Sequence, residues 1–419
     1  MAQSPQNAVK LVAARSAHLG LVINIQRSLG RGSYGAVYAA SRAEQAAADI
    51  SAQPADGDSA LAVKVIDIRA LGPEDGRRML REIRFAACFG TGTPLTRIVT
   101  CAGVILTSDL RAAGIVFDRW DAALSGLVRD ISQRLTNEHA RWLMAQLLAG
   151  LRYVHDANVV HGDIKPENLL VSKNCKLAIT DFGLARWAPN GQVRLEGGPV
   201  QTSWYRSPEV ILELEYGTAA DMWGAGCVFA ELLRSCWPSR VRRDPPALFP
   251  GADESAEQLA RIIAVVGDPT PAIARGDADV AAARAAADTA LAAATAALAA
   301  ADTALAAAAG AAAALRRDGG QTAPLERQFK HAPPLAVDLL TQLLRLDPAA
   351  RPSARAALAH PYFDGLELPE VAAVEVSTAD IESLDLGEEP ADGEPVPPHC
   401  GATIRAKLHD MVYPDLAWR

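Results

Sequence analysis

The chain has 419 residues, with 41 Lys and Arg against 49 Asp and Glu and a formal net charge of −8, which argues against nucleic-acid binding or a basic membrane patch. That length accommodates a sizeable core divided over two lobes. Six scattered cysteines with no CxxC pair and no His at zinc spacing predict reduced thiols, hence a cytoplasmic or nuclear protein. No apolar run of the roughly 18 residues a membrane helix needs occurs without being mostly alanine, so no membrane association is expected.

Residues 1–20 carry Lys10 and Arg15 and no acid, but they run directly into a strand-like stretch and are read as an N-terminal extension. From Leu21 to Val65 the pattern is β: "LVINIQRSLG", a glycine turn, "AVYAA", a polar insertion over residues 41–59, then "ALAVKVI". "GRRMLREIRFAACF" is an amphipathic helix, with Leu80, Ile83 and Cys88 on one side and arginines on the other. A further hairpin ends in "AGIVFDRW". The chain then turns helical, opening "LTNEHARWLMAQLLAGLRYVHDANVV" with Thr136 and Asn137 as candidate caps. Residues 270–314 are alanine-rich, repeat "ADTALAAA", and place Leu291, Leu298 and Leu305 on one thin seam. They are expected to be a surface insertion, with a partner-binding helix as the other reading. Residues 366–419 form an acidic extension containing "DLGEEPADGEPVPP".

Three stretches carry chemistry. "GRGSYGAVY" sets Gly30, Gly32 and Gly35 before Val37, but a strand follows the glycines, whereas a dinucleotide-binding unit requires a helix. Glycines in a β-hairpin let backbone N–H groups approach phosphate oxygens. Lys64 lies within an apolar strand, where burial demands an anionic partner; Glu82 on the next helix supplies one and a phosphate another. In "HGDIKPENLL" and "ITDFGLA", the apolar runs "NLLV" and "KLAI" can pair as a hairpin that gathers Asp163, Asn168 and Asp181 at one edge. Asp181 and Asn168 offer hard oxygen ligands suited to Mg2+. Asp163 is left to receive a proton from a hydroxyl, and Lys165 to neutralise a transferred phosphoryl group.

The glycine motif, the strand Lys, the helix Glu, the catalytic loop, the "DFG" triplet and "SPE" at 207–209 follow in order, and with them the chain resembles a protein kinase over residues 21–365. "LREI", "WYRSPE", "DMWGAGCVFAELL", "ALFPG" and "LLRLDPAARPSARAALAHPYF" are similar to the group holding cyclin-dependent and mitogen-activated kinases. The cyclin-binding helix sequence is missing, and the stretch from Leu135 to Leu170 looks closer to the mitogen-activated family. The resemblance implies an α+β bilobal fold, with a β-rich N-lobe over 21–118 and an α-helical C-lobe over 121–365.

It also implies ATP and Mg2+ as cofactors. Gly30, Arg31, Gly32, Ser33 and Gly35 would cover the phosphates, and Val37, Ala62 and Leu170 would enclose the adenine. Phe117 would stand at the back of that pocket, with Asp118 to Trp120 as the hinge between lobes. Lys64, held by Glu82, would touch the phosphates; Asn168 and Asp181 would hold the metal; Asp163 would be the base. Thr202 would bridge Asp163 and Lys165, the Ser/Thr rather than the Tyr arrangement. Glu209 would pair with Arg351 and Asp221 would brace the catalytic loop. Arg206 implies protein substrates with Ser/Thr-Pro sites. Glu367 and Glu370 are either a docking patch for partner or scaffold proteins or part of a solvated acidic tail.

One position departs from the pattern. The family usually has Arg between the catalytic-loop His and Asp, where it meets a phosphorylated side chain; here Gly162 stands between His161 and Asp163. The positions of the Thr-x-Tyr phosphosites are Gly197, Gly198 and Pro199, and Ser203 replaces the Arg that often receives the phosphotyrosine. Three departures on one circuit predict a kinase that does not depend on phosphate at those positions. A pseudokinase scaffold is the alternative, although every group needed for phosphoryl transfer is retained.

Overall fold

The apolar run around Lys64 becomes the central strand of a five-stranded antiparallel sheet in the computed structural model of the chain. The structure describes residues 22–31, 35–43, 61–89, 96–99, 101–106, 111–130, 132, 135–193, 203–212, 214–238, 247–250, 255–266, 325–367 and 370. The alanine-rich stretch and nearly all of the acidic extension therefore lie outside the described residues. The strands are β1 (Val22–Arg31), β2 (Ala36–Ala43), β3 (Leu61–Asp67), β4 (Cys101–Leu106) and β5 (Ala112–Asp118), in the order β1-β2-β3-β5-β4.

Period-two alternation gives β3 two faces. Leu61 and Val63 pack with Ile23, Ile105 and Val116 on one side. On the other, Ile66, Ile115 and Phe117 pack against Met79, Leu80 and Ile83 of helix α1 (Pro73–Phe89). Cys88 is only partly buried, and the arginines of α1 are not all solvent-facing as expected. Arg78 is buried beside Glu74 one turn earlier, and Arg81 donates to the Gly183 carbonyl oxygen at 3.0 Å.

After β5 the chain crosses through Asp118–Trp120 to β6 (Ala122–Ala123) and α2 (Leu124–Arg129), and then enters the helical lobe. Thr136 caps α3 (Asn137–Asp156): its hydroxyl accepts from His139 N at 3.3 Å, and its own N–H donates to His139 Nδ1 at 3.1 Å. The short strands β7 (Val159–Val160), β8 (Leu169–Val171), β9 (Leu177–Ile179) and β10 (Arg186–Trp187) carry the loops of interest. The expected hairpin is present, with Leu169 opposite Ile179 and Leu170 opposite Ala178. Helices α4 (Pro208–Ile211), α5 (Thr218–Ser235), α6 (Ser255–Val266), α7 (Leu325–Gln328), α8 (Pro334–Leu343) and α9 (Ala354–Leu358) complete the lobe. Residues Asp221 to Ser235 of α5 are all buried, so this helix is the axis of the core rather than a surface element. Ile98 bridges the lobes by pairing with Ile179 of β9: Val99 N donates to Ile179 O at 2.9 Å and Ile179 N to Arg97 O at 2.8 Å. Among the described residues no helix is long and apolar enough to cross a membrane.

Buried ion pairs tie the helical lobe together. Arg351 grips Glu209 with two hydrogen bonds of 2.6 and 2.7 Å, and its guanidinium lies 5.1 Å above the Trp223 ring. Glu209→Ala leaves that guanidinium buried without its carboxylate, with an expected loss of about 3–5 kcal/mol of stability. Urea unfolding of wild type and variant measures this; a loss near zero would show that the pair contributes nothing net.

The Tyr205 hydroxyl donates to Glu231 Oε1 at 2.5 Å, fastening the segment before α4 to α5. Burial raises the Glu231 carboxyl to about 7, with Glu167 adding to the rise and Tyr205, Arg129 and Arg234 opposing it; Cys227 lies in the same surroundings. A raised carboxylate means that the folded form holds a proton the unfolded chain releases. The stability from this group is therefore complete below the unfolded value and is lost as pH rises towards about 7. Glu231→Gln should flatten the decline in unfolding free energy between about pH 5 and 8. An unchanged slope in the variant would assign the decline to other groups.

Candidate active site

Strand β3, helix α1 and the two ends of the β8–β9 hairpin converge on one set of charges at the lobe junction. Strand pairing sets Lys64 opposite Val37 and Ile115, and Ala62 opposite Phe117, so all of these side chains share one face of the sheet. Lys64 Nζ lies 2.8 and 2.7 Å from the two oxygens of Glu82 and 4.0 Å from Asp181 Oδ1. Burial acts to lower the Lys64 pKa, but the carboxylates of Glu82 and Asp181 outweigh it and the net shift is upward. The lysine is held charged, as its surroundings require.

Below it, Asn168 Nδ2 donates to Asp163 Oδ2 at 2.6 Å and to Asp163 O at 2.9 Å. Lys165 Nζ is 2.9 Å from the same Asp163 Oδ2. Asp181 adopts a left-handed backbone (φ 65°, ψ 74°), and its Oδ1 accepts from Gly183 N at 3.4 Å. Burial pushes the Asp163 carboxyl up; Lys165 opposes this and Asp181 adds to it, and the net result is a rise. Burial would also raise Asp181, but Lys64, His161 and Lys165 bring it below the ordinary carboxylate value. Two neighbouring carboxylates are thus driven apart, one towards accepting a proton and the other towards constant negative charge.

The glycines sit in different surroundings. Gly30 and Arg31 close β1 opposite Val37 and Ala36, while Gly32, Ser33 and Thr202 lie outside the described residues. A Cβ on Gly35 would sit 2.6 Å from the Val65 carbonyl oxygen, so this glycine admits the backbone of β3. A Cβ on Gly30 would meet nothing within 4 Å, leaving room above the sheet. Val37, Ala62, Leu170 and Trp120 are half-buried and Asp118 is exposed. Partly open apolar surface thus lies beside a buried ammonium and two oxygen donors, Asn168 and Asp181. That donor set fits a magnesium–nucleotide polyphosphate.

The sequence reading missed the aromatic column behind these charges. His161 stands 4.8 Å from Phe182, which packs at 5.5 Å on Phe89 and at 6.3 Å on Phe85 of α1. The four-residue spacing of Phe85 and Phe89 was the available signal. Also missed was His155, whose Nε2 donates to Asp221 Oδ2 at 2.9 Å. The expected brace is present: Asp221 accepts from His161 N and Gly162 N, each at 2.8 Å.

A two-lobed fold with a buried lysine–glutamate pair over a split pair of aspartates defines a protein kinase domain, and the chain matches the family described as "Protein kinase domain" over residues 23–363. It is 33% identical over 342 residues to the mitogen-activated protein kinase homolog NTF6 of Nicotiana tabacum, covering 81% of this chain and 76% of that one. It is 32% identical over 372 residues to mitogen-activated protein kinase 14 of Arabidopsis thaliana, covering 86% and 84%. Against mitogen-activated protein kinase 1 of Oryza sativa subsp. japonica it is 32% identical over 342 residues, covering 81% and 71%. The chain belongs to the protein kinase family and, within it, to the mitogen-activated protein kinases.

Glu82→Gln removes the charge that centres Lys64 and leaves Asp181 as its nearest carboxylate. Phosphate transfer should fall about 10²-fold with the fold retained. Steady-state kinetics together with circular dichroism test this, and wild-type kcat in a folded variant would remove Glu82 from the machinery.

Proposed function

We propose that this protein transfers the γ-phosphoryl group of magnesium-ATP to Ser or Thr hydroxyls followed by Pro in protein substrates. The observation that carries this reading is the meeting of the Lys64–Glu82 pair with Asp181 and with Asp163, which Asn168 and Lys165 hold, at one site. Magnesium-ATP, when bound, supplies the electrophilic phosphorus. Asp163 takes the proton of the incoming hydroxyl, held in place by Asn168 and Lys165. Lys64 binds phosphate oxygens, and Asp181 and Asn168 supply the metal's oxygen ligands. Ser/Thr and Pro selectivity rest on the family and on Arg206, which is half-buried and lies within electrostatic range of Asp163.

We further propose that activity does not require phosphate at the usual activation-loop positions. Support comes from how residues 186–193 are held. Strand β10 pairs with β7, Ala188 N donates to Asn158 O at 2.7 Å, and Val193 exchanges two backbone bonds of 2.8 and 2.9 Å with Tyr216. Val160, Ala188 and Tyr216 form a small buried cluster beneath. Backbone pairing and apolar burial thus fix residues 186–193 through bonds that need no phosphate. The second reading, a scaffold without catalysis, rests on the same three departures, at Gly162, at residues 197–199 and at Ser203.

The test uses protein made in bacteria and checked by mass to be unphosphorylated, with a Ser-Pro peptide and its Ser-Ala counterpart. Transfer to Ser-Pro in preference to Ser-Ala is expected, falling about 10²–10⁴-fold in Asp163→Asn. Equal transfer to both peptides would overturn proline direction. Nucleotide binding without transfer by the wild type would favour the scaffold.

A further inference from the structure

Arg81 and Glu82 are neighbours on α1, yet they bind two different parts of the site. Glu82 takes the Lys64 ammonium through both of its oxygens, at 2.8 and 2.7 Å. Arg81 reaches the metal-side loop, where its Nη1 donates to the Gly183 carbonyl oxygen at 3.0 Å. The N–H of the same Gly183 donates to Asp181 Oδ1 at 3.4 Å, and that oxygen lies 4.0 Å from Lys64 Nζ. Lys64, Glu82, Arg81, Gly183 and Asp181 thus form a closed ring through the lobe junction. The Asp181 side of the ring is the part that needs holding. Its backbone is left-handed, a conformation that a residue with a side chain avoids, and its own bond to Gly183 N is long. The next two carbonyl oxygens, of Leu184 and Ala185, each accept from Arg186 Nη1 at 3.2 Å, so two guanidinium groups hold three successive carbonyls. Phe182 also packs on Phe85 and Phe89 of α1. Ring contacts tolerate a range of angles and offsets, whereas a hydrogen bond weakens steeply off its line. Arg81 is therefore the polar tie that gives the loop a direction relative to α1.

We propose that Arg81 is a positioning residue for the metal: by fixing the Gly183 carbonyl it sets the Asp181 carboxylate where the magnesium of magnesium-ATP would meet it. The inference rests on the kinase reading of the site and adds a residue that acts through Asp181. A group that orients a metal ligand from behind contributes about 10- to 100-fold in metal affinity or activity. Loss of Arg81 leaves Glu82 on Lys64, since that pair makes two bonds of its own. The loop shifts, and the helix stays. Binding of metal-free nucleotide therefore survives, and binding of magnesium-ATP is what weakens. The tie to Gly183 is one N–H on one carbonyl, which an ammonium can replace. Lys at position 81 therefore serves, whereas Met keeps the apolar stem and loses the donor.

The experiment uses the full-length, unphosphorylated chain as wild type, Arg81→Met, Arg81→Lys, Asp181→Asn and the double variant Arg81→Met with Asp181→Asn. Calorimetry of ATP binding is run with and without magnesium, and kinetics with a Ser-Pro peptide give kcat. In Arg81→Met, the affinity for magnesium-ATP and kcat should each fall about 10- to 100-fold, with the affinity for metal-free ATP unchanged. Arg81→Lys should recover most of both losses. Against the Asp181→Asn background, Arg81→Met should weaken binding no further, because its effect runs through that carboxylate. Wild-type affinity for magnesium-ATP in Arg81→Met would overturn the proposal, as would equal losses with and without magnesium. A Lys variant no better than Met, or a further loss in the double variant, would do the same. A wild type that binds magnesium-ATP without transfer would refute the kinase reading alone, and the binding measurements would still decide the role of Arg81.

Discussion

The structure of the site depends on one buried carboxylate, that of Asp221. It sits in the first turn of α5, where the helix N-terminus favours negative charge, and its oxygens accept from His161 N, Gly162 N and His155 Nε2. From there the connection runs outward through packed groups. His161 meets Phe182 edge-on and donates through Nε2 to Thr180 O at 3.1 Å, and Phe182 stacks on the two phenylalanines of α1. The same helix carries Glu82 to Lys64. A carboxylate at the core of one lobe thereby helps set the position of an ammonium in the other.

Burial is what makes these charges useful. In water a lysine and two aspartates differ little from their free states; here Lys64 is buried, Asp163 and Asp181 are partly so, and each answers to its neighbours. Asp181 stays anionic because Lys64 and Lys165 stand close, whereas Asp163 is raised because burial and Asp181 outweigh Lys165. The same logic appears at Glu231, where burial without a full ion pair leaves the carboxyl near the protonated side. Glu209, by contrast, has a bidentate arginine, so a buried pair joins segments far apart in the chain.

The activation segment shows the same economy by other means. Residues 186–193 lie against β7 and Tyr216 through backbone bonds and a small apolar cluster. Gly162 has a left-handed backbone (φ +76°), and a Cβ there would lie 3.2 Å from the Leu184 carbonyl oxygen.

Much of this was legible in the chain. Lys64 in an apolar strand, Glu82 on an amphipathic helix, and Asp163, Asn168 and Asp181 flanking two short apolar runs announce themselves, because periodicity places side chains on faces and a buried charge demands a partner. The hairpin of Leu169–Val171 with Leu177–Ile179 followed from the same reasoning. What local pattern could not supply was anything that depends on distant segments meeting at a particular angle. That Gly35 makes room for Val65 O, that Arg78 is buried, that His155 reaches Asp221 and that Phe85 and Phe89 stack on Phe182 are outcomes of tertiary packing. So is the sign of the shift at Asp163. The sequence by itself determined which groups can carry charge, metal or proton; only the folded structure decided their dielectric surroundings and backbone conformations, because both arise from contacts between residues far apart along the chain.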